Sequence, residues 1–502
     1  MPGKSLIIIG AGLAGLSAGC YAQMNGYQSH IFEHHSQPGG LAAWWRRGEY
    51  LIDGGIHFVM SHKPGTKLHN LYRELGIVPG CRFLDLPAYG RFIHEPSGQS
   101  LHLGDDLDQW SDALKALSPA DARIVDEVIA GGRALQGLDM SEVGMSNPPE
   151  LSGMGDQVKD LWAMRGMLRF MVGKYNKTVR TYCEDVHEPV LRTCLEQLFL
   201  PGVPLYFLFM IMAPLADGQL GLIEGGCRDF ARAIEKRYRA LGGEITYGAK
   251  VTKVLVEGDT ATGVRLSDGS EHRAGAVISA ADGYSTIFEM LDGRYVSPST
   301  EKRYATWKLF QPLLMISYGV AQDFPDLPPF TTISLEKPLT VGPNRVNSLM
   351  LRALNYGPGF APPGKTVLQV EFDTSWRYWY DMQQEDRAAY DAEKQRVARE
   401  ALARIETHHP GISSRVEVTD VATPYTTWRY TLNRRGSWGG WLMTPKAMMT
   451  SIKRTLPGLD RFYMAGQWVM PGGGVPPCLY SGRHAIQLLS HHDGRPFSTA
   501  AR

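Results

Sequence analysis

Gly10, Gly12 and Gly15 follow directly on the apolar run Leu6-Ile7-Ile8-Ile9, and an acid, Glu33, closes a second apolar run 23 residues after Gly10. Glycines at this spacing bring the main chain up against something that leaves no room for side chains. Gly10 permits a tight turn, Gly12 lets the backbone approach a pyrophosphate, and Gly15 lets the following helix pack close on a sheet. The amides that open a helix from Leu13 to Asn25, at Leu13 and Ala14, then face phosphate oxygens. Glu33, at the end of the strand His30-Ile31-Phe32, stands where a carboxylate accepts hydrogen bonds from a ribose hydroxyl pair and repels a 2′-phosphate. The expected ligand is therefore FAD or NAD, not NADP.

That chemistry requires a βαβ unit, and the rest of the chain must complete the sheet around it. Pro38-Gly39-Gly40 makes a turn, and Asp53-Gly54-Gly55 after a short apolar stretch makes a second close approach, both where a flavin nucleotide needs backbone contact. Asp105 or Asp106 caps a helix through Leu117, and Ser118-Pro119 opens another. Gly225-Gly226 introduces a helix from Phe230 to Leu241. Strands Glu244-Tyr247, Val251-Val256, Thr262-Leu266 and Ala276-Ala280 follow, and a charged helix lies near Asp386-Ile405. Near the end, Arg461 to Gln467 reads as a strand into a turn, and Gly472-Gly473-Gly474 leads to a helix from Cys478 to Leu489 whose N-terminus offers a second dipole to a cofactor.

Composition narrows the function classes. Lys plus Arg (52) nearly balances Asp plus Glu (51), a net charge of +1, so no footprint for nucleic acid appears. The six cysteines form no C-x-x-C pair and the fifteen histidines no ligand spacing, so neither a disulfide framework nor a metal is expected. The strand beginning at Ser5 leaves no room for a signal peptide, which predicts a cytoplasmic protein. The most apolar window, Leu198 to Leu215, is interrupted by prolines, and its unbroken part, Leu205 to Ala213, is shorter than the roughly 20 residues a bilayer requires. By composition it is a core helix; as the wall of a pocket for a long apolar ligand it would form the channel or its membrane-facing mouth.

These segments together resemble the phytoene desaturase, carotenoid isomerase and retinol saturase family of flavin amine oxidase-like oxidoreductases. The resemblance is carried by Leu6 through His57 and by Gly225-Gly226 through the strand of Val251. It continues in Thr423-Pro424, Arg429-Tyr430-Thr431, Asn433, Gly436 and Gly440-Trp441, then Ala465-Gly466-Gln467-Trp468 and Gly472 to Gly482. It implies an α/β fold: a discontinuous, amine-oxidase-like Rossmann-type FAD-binding domain (1–90, 221–290 and 445–502) with an inserted α+β substrate domain (91–220 and 291–444). It further implies non-covalent FAD and a long apolar polyene or isoprenoid lipid as substrate. The cofactor contacts expected on this chain are Gly10, Gly12, Leu13, Ala14, Gly15, Glu33, Gly39, Gly40, Leu41, Gly55, Ile56, His57, Val251, Gly466, Gln467, Gly474 and Val475. Family members often carry arginine where this chain has Leu41; Arg46 and Arg47 are the candidates to substitute.

Hydride transfer to a flavin needs positioning more than a dedicated side chain. His57 is the candidate polar group near the ring, as a catalytic or a structural histidine. Of the aromatics, the Trp438 to Trp441 region is expected nearer the cofactor than the cluster Trp376, Tyr378, Trp379, Tyr380. With no second strand-linked glycine fingerprint, electrons are expected to pass through the substrate, oxygen or a quinone. The expected reaction is desaturation, saturation or cis-trans isomerisation of a carotenoid-like lipid, with peripheral membrane contact. The alternatives are an amine or amino-acid oxidase on the same scaffold and a non-catalytic flavin-bearing partner protein.

Overall fold

The apolar runs that frame the glycine turn become neighbouring strands. The computed structural model describes residues 4–139, 145, 147–153, 155, 162, 168–170, 172–448 and 450–500. Ser5–Ile9 is the centre of a five-stranded parallel sheet ordered Glu244–Thr246, Gln28–Phe32, Ser5–Ile9, Ala276–Ser279, Phe462–Met464. Leu6, Ile7, Ile8 and Ile9 are all buried, as a strand covered on both faces requires. The sheet joins stretches from the beginning, the middle and the end of the chain.

Small residues set how the helices lie on it. Helix Leu13–Met24 crosses helix Val475–His492 so closely that a Cβ on Gly482 would lie 2.4 Å from the carbonyl oxygen of Ala14. Ser17 Oγ donates to Leu479 O at 2.7 Å across the same contact. Both helices therefore begin on the same side of the sheet. Helix Gly226–Ala240 packs Tyr238 against Gly19, and its hydroxyl donates to Ser29 O at 2.7 Å.

A second sheet has seven strands, ordered Val416–Ala422, Leu313–Val320, Thr366–Asp373, Asn344–Leu354, Phe330–Val341, Gly90–His94, Gln99–Leu103, and is antiparallel except between Phe330–Val341 and Gly90–His94. Alternation divides its faces. Leu314, Ile316 and Tyr318 pack under helix Arg387–His408, with Val397, Ala401 and Ile405; the other face is turned toward the glycine turns of the parallel sheet. Helices Leu107–Leu117, Ala122–Arg133, Val179–Cys183, Pro189–Gln197 and Tyr206–Ala216 share a third core.

Several element ends differ from the sequence expectation, for reasons of proline and glycine chemistry. Ser118-Pro119 opens a 3₁₀ turn, Pro119–Asp121, before the helix starts at Ala122. The helix expected from Phe230 starts at Gly226, and the one expected from Cys478 starts at Val475, because prolines 476 and 477 fit a first helical turn. The apolar window runs through Pro214 to Ala216 as helix. Among the described residues no helix is long and apolar enough to cross a membrane.

Candidate functional site

Where the glycine turns face the seven-stranded sheet they enclose a cavity of about 2160 Å³. Of the expected cofactor contacts, every one except Gly15 borders it. Gly15 serves packing: a Cβ there would lie 1.9 Å from Gly10 O. The helix behind Gly12 has no side-chain cap, so its first amides are directed at the cavity. Glu33 is buried and accepts from Ala11 N at 2.6 Å and His35 N at 2.7 Å. Burial pushes its carboxyl up, against those two donors. The second helix end is poorer in donors than expected, because Pro476 and Pro477 carry no N–H. Cys478 borders the cavity with its thiol pushed up to about 12 by burial, so it is neutral.

Leu41 borders the cavity; its carbonyl would lie 2.7 Å from a Cβ on Gly55, so this backbone crossing depends on glycine. Neither arginine replaces a residue-41 guanidinium freely. Arg46 is exposed and outside the cavity lining, and Arg47 lines it but donates through Nε to Asp420 Oδ1 at 2.6 Å.

Cross-strand rows of the seven-stranded sheet build the opposite wall. Ser317, Gln369 and Arg352 lie side by side in one row. Arg352 and Gln369, with Cys227, hold Asp53: Arg352 donates to its Oδ1 at 3.3 Å and to Ile56 O at 2.9 Å, Gln369 donates to Asp53 O at 2.8 Å and to Ser317 Oγ at 3.0 Å, and Cys227 N donates to Asp53 Oδ2 at 2.6 Å. Arg352 and Asp53 are almost wholly buried, an ion pair that either partner alone would make costly. The network fixes the chain from Asp53 to His57 against the sheet. In the next row, Glu371 stands between Met315 and Met350, faces the cavity and meets His57 Nε2 at 3.1 Å. Asp373, two residues on, borders the same cavity; burial, then the charge of Glu371, raise its carboxyl to about 6.

Arg352, Gln369, Glu371 and Asp373 did not emerge from the sequence motifs. Their signal was the period-two placement of Gln369, Glu371 and Asp373 in an otherwise largely apolar strand, a polar face on a buried element.

One part of the lining away from the glycines is apolar, walled by Leu86, Tyr89, Phe92, Phe199, Phe207 and Met210. Of the aromatics, Trp438 and Trp428 border the cavity. Trp441 does not: it is buried, and its Nε1 donates to Trp468 O at 3.2 Å. Trp376, Tyr378, Trp379 and Tyr380 lie outside the lining. Among the described residues no three His, Cys, Asp or Glu are grouped to hold a metal.

Prolycopene isomerase, chloroplastic, of Daucus carota is 25% identical to the chain over 494 residues, covering 95% of this chain and 78% of its own. Phytoene desaturase (neurosporene-forming) of Rhodobacter capsulatus is 24% identical over 531 residues, covering 96% and 93%. Cyclohexylamine oxidase from Brevibacterium oxydans IH-35A superposes with a TM-score of 0.62 at 14% identity over 98% of this chain and 100% of that one, a likeness of fold. The family described as flavin containing amine oxidoreductase matches residues 13–489. That match runs from the first residue of the cavity-facing helix into the last helix, and the chain belongs to this family as a flavin-dependent oxidoreductase resembling the phytoene desaturases and carotenoid isomerases.

Proposed function

We propose that the chain binds FAD non-covalently and acts on carbon–carbon bonds of a long apolar polyene such as a carotenoid, by desaturation, saturation or cis-trans isomerisation. The observation that carries this reading is one continuous cavity of about 2160 Å³, well above the roughly 300–1,000 Å³ of an ordinary small-molecule site. It joins glycine turns suited to a dinucleotide with an apolar arm suited to a lipid. The relatives named for prolycopene and phytoene support the same substrate class.

In this reading residues 1–90, 221–290 and 445–502 form the cofactor domain and 91–220 and 291–444 the substrate domain. The amides from Gly12 to Ala14 hold the pyrophosphate, Glu33 the ribose, and Val251 the adenine. Gly39 to Leu41, Gly55 to His57, Gly466, Gln467, Gly474 and Val475 surround the ring end. FAD, when bound, supplies a two-electron acceptor or donor. The neutral, half-buried Cys478 thiol is consistent with non-covalent binding. Oxygen or a quinone takes the electrons in this reading, the protein is cytoplasmic, and contact with a membrane is peripheral.

The test is to release and identify the flavin of the purified protein, then to incubate the protein with phytoene or prolycopene in liposomes. The expected result is intact FAD and a product altered at its carbon–carbon bonds. The carboxylates Glu371 and Asp373 in the cavity wall would suit an ammonium group. Hydrogen peroxide released with simple amines, and unaltered polyenes, would establish an amine oxidase instead.

A further inference from the structure

We infer that His57 and Glu371 are the proton-transferring pair of this site: His57 Nδ1 takes the proton that a carbon–carbon bond must release on dehydrogenation, and Glu371 holds the ring for it. The inference rests on the carbon–carbon reading above and adds to it the residues that move the proton.

The geometry is held from both sides. His57 follows Ile56, whose N donates to Cys227 Sγ at 3.1 Å and whose carbonyl accepts from Arg352 at 2.9 Å. Glu371 is the one charged residue in a cross-strand row that runs Ala422, Met315, Glu371, Met350, Thr332, Phe92, and all six border the cavity. A carboxylate is costly in such a row unless it has a partner, and its partner is His57 Nε2 at 3.1 Å. Burial pushes the Glu371 carboxyl up, but the His57 ring and the Arg352 guanidinium outweigh it and hold the group below its ordinary value. As a carboxylate Glu371 can only accept, so the hydrogen between the pair is on Nε2, and Nδ1 is the ring nitrogen that takes the proton in this step. Among the described residues nothing bonds Nδ1. The charged groups facing the pair are Arg352 from strand Asn344–Leu354 and Asp373 from Glu371's own strand; strand Leu313–Val320 presents the uncharged Met315, and Phe330 lies 6.0 Å from the His57 ring.

When two neighbouring C–H bonds become a double bond, one hydrogen leaves with its electron pair, for which FAD, when bound, would be the acceptor. The electrons of the other C–H bond form the new C=C bond, and its proton goes to His57 Nδ1. In saturation the protonated Nδ1 returns it.

Two measurements on the flavin-loaded protein read the halves of this inference. One is the ring-nitrogen spectrum of [15N]histidine-labelled protein, with His57 assigned by His57→Gln; the other is phytoene turnover in liposomes. The expected wild-type ring has its hydrogen on Nε2 toward Glu371 and Nδ1 as the nitrogen that responds to turnover. Glu371→Gln keeps an acceptor and is expected to keep that form and part of the rate. Glu371→Met, matched to its neighbours, is expected to lose the Nε2–H preference and about 100-fold or more in kcat, with KM little changed. His57→Gln is expected to lose as much in kcat while its flavin content is retained. A fully active His57→Gln overturns the proton step alone, and a slow Glu371→Met with an unaltered His57 spectrum overturns the positioning role. A wild type that leaves phytoene untouched overturns the carbon–carbon reading and the proton step with it.

Discussion

A Cβ added at Gly12 would find its nearest protein atoms at 3.9 and 4.0 Å, in Gly40 and Gly39, and the residue's φ of −68° is open to any amino acid. The fold alone does not demand glycine there; a ligand against the helix N-terminus would. Gly12→Val should therefore fold, with an unfolding midpoint close to that of flavin-stripped wild type, since a poorer cap costs only about 1 kcal/mol. It should lose most of its flavin, measured as absorbance per protein. Full flavin content in this variant would sink the proposed pyrophosphate contact. Gly15, whose Cβ would strike Gly10 O, offers no such separation of fold from ligand. This contrast explains what was readable at the scale of residues. Glycines that serve backbone approach leave a local spacing, whereas Glu371 and Arg352 acquire their roles from partners 314 and 299 residues away, through sheet register that no local spacing records.

The same limit appears at the scale of elements in helix Tyr206–Ala216. Its sequence is apolar on every side, so periodicity does not tell a core face from a lining face. The structure separates them. Phe207 and Met210 border the cavity, while Phe209 is fully buried, 5.4 Å from the ring of Phe170 and packed on Gly131, where a Cβ would lie 2.3 Å from its ring. Phe209→Ser should cost about 3–5 kcal/mol, the scale of a large core truncation, and reduce folded yield. Phe207→Ser should keep both fold and flavin but raise the apparent KM for a polyene presented in liposomes. Equal stability losses in the two variants, measured by denaturant unfolding, would show that both faces are core. Elements with one strong signal were legible: the strand of Leu6 to Ile9 by its apolar run, and helix Arg387–His408 by its run of charged residues. The Trp376 cluster carried no comparable signal, because aromatic residues suit a helix–helix contact as well as a ligand wall. Trp376 in fact packs on Trp428, 5.8 Å between ring centres.

For the whole molecule, the consequence of this topology is that one ligand filling the cavity would meet three distant parts of the chain at once. Gly12 and Glu33 come from the beginning, Val251 from the middle, and Gly466 and Val475 from the end, and all border one cavity. A dinucleotide long enough to span from Val251 to Val475 would tie these parts together, whereas a mononucleotide carrying only the ring end would leave the Glu33 and Val251 side without a partner. Binding to the folded state alone stabilises it by about 4 kcal/mol when free ligand exceeds its Kd a thousandfold. In a chain of 502 residues that is a rise of about 4 °C in Tm, given the entropy of unfolding per residue. Flavin-stripped protein should accordingly melt several degrees lower than the purified form. FAD should restore the loss, and FMN at the same excess should restore little of it. Equal recovery with FMN in a thermal scan would mean that Glu33 and Val251 contact no part of the cofactor, and that the apparent dinucleotide turn is used for packing.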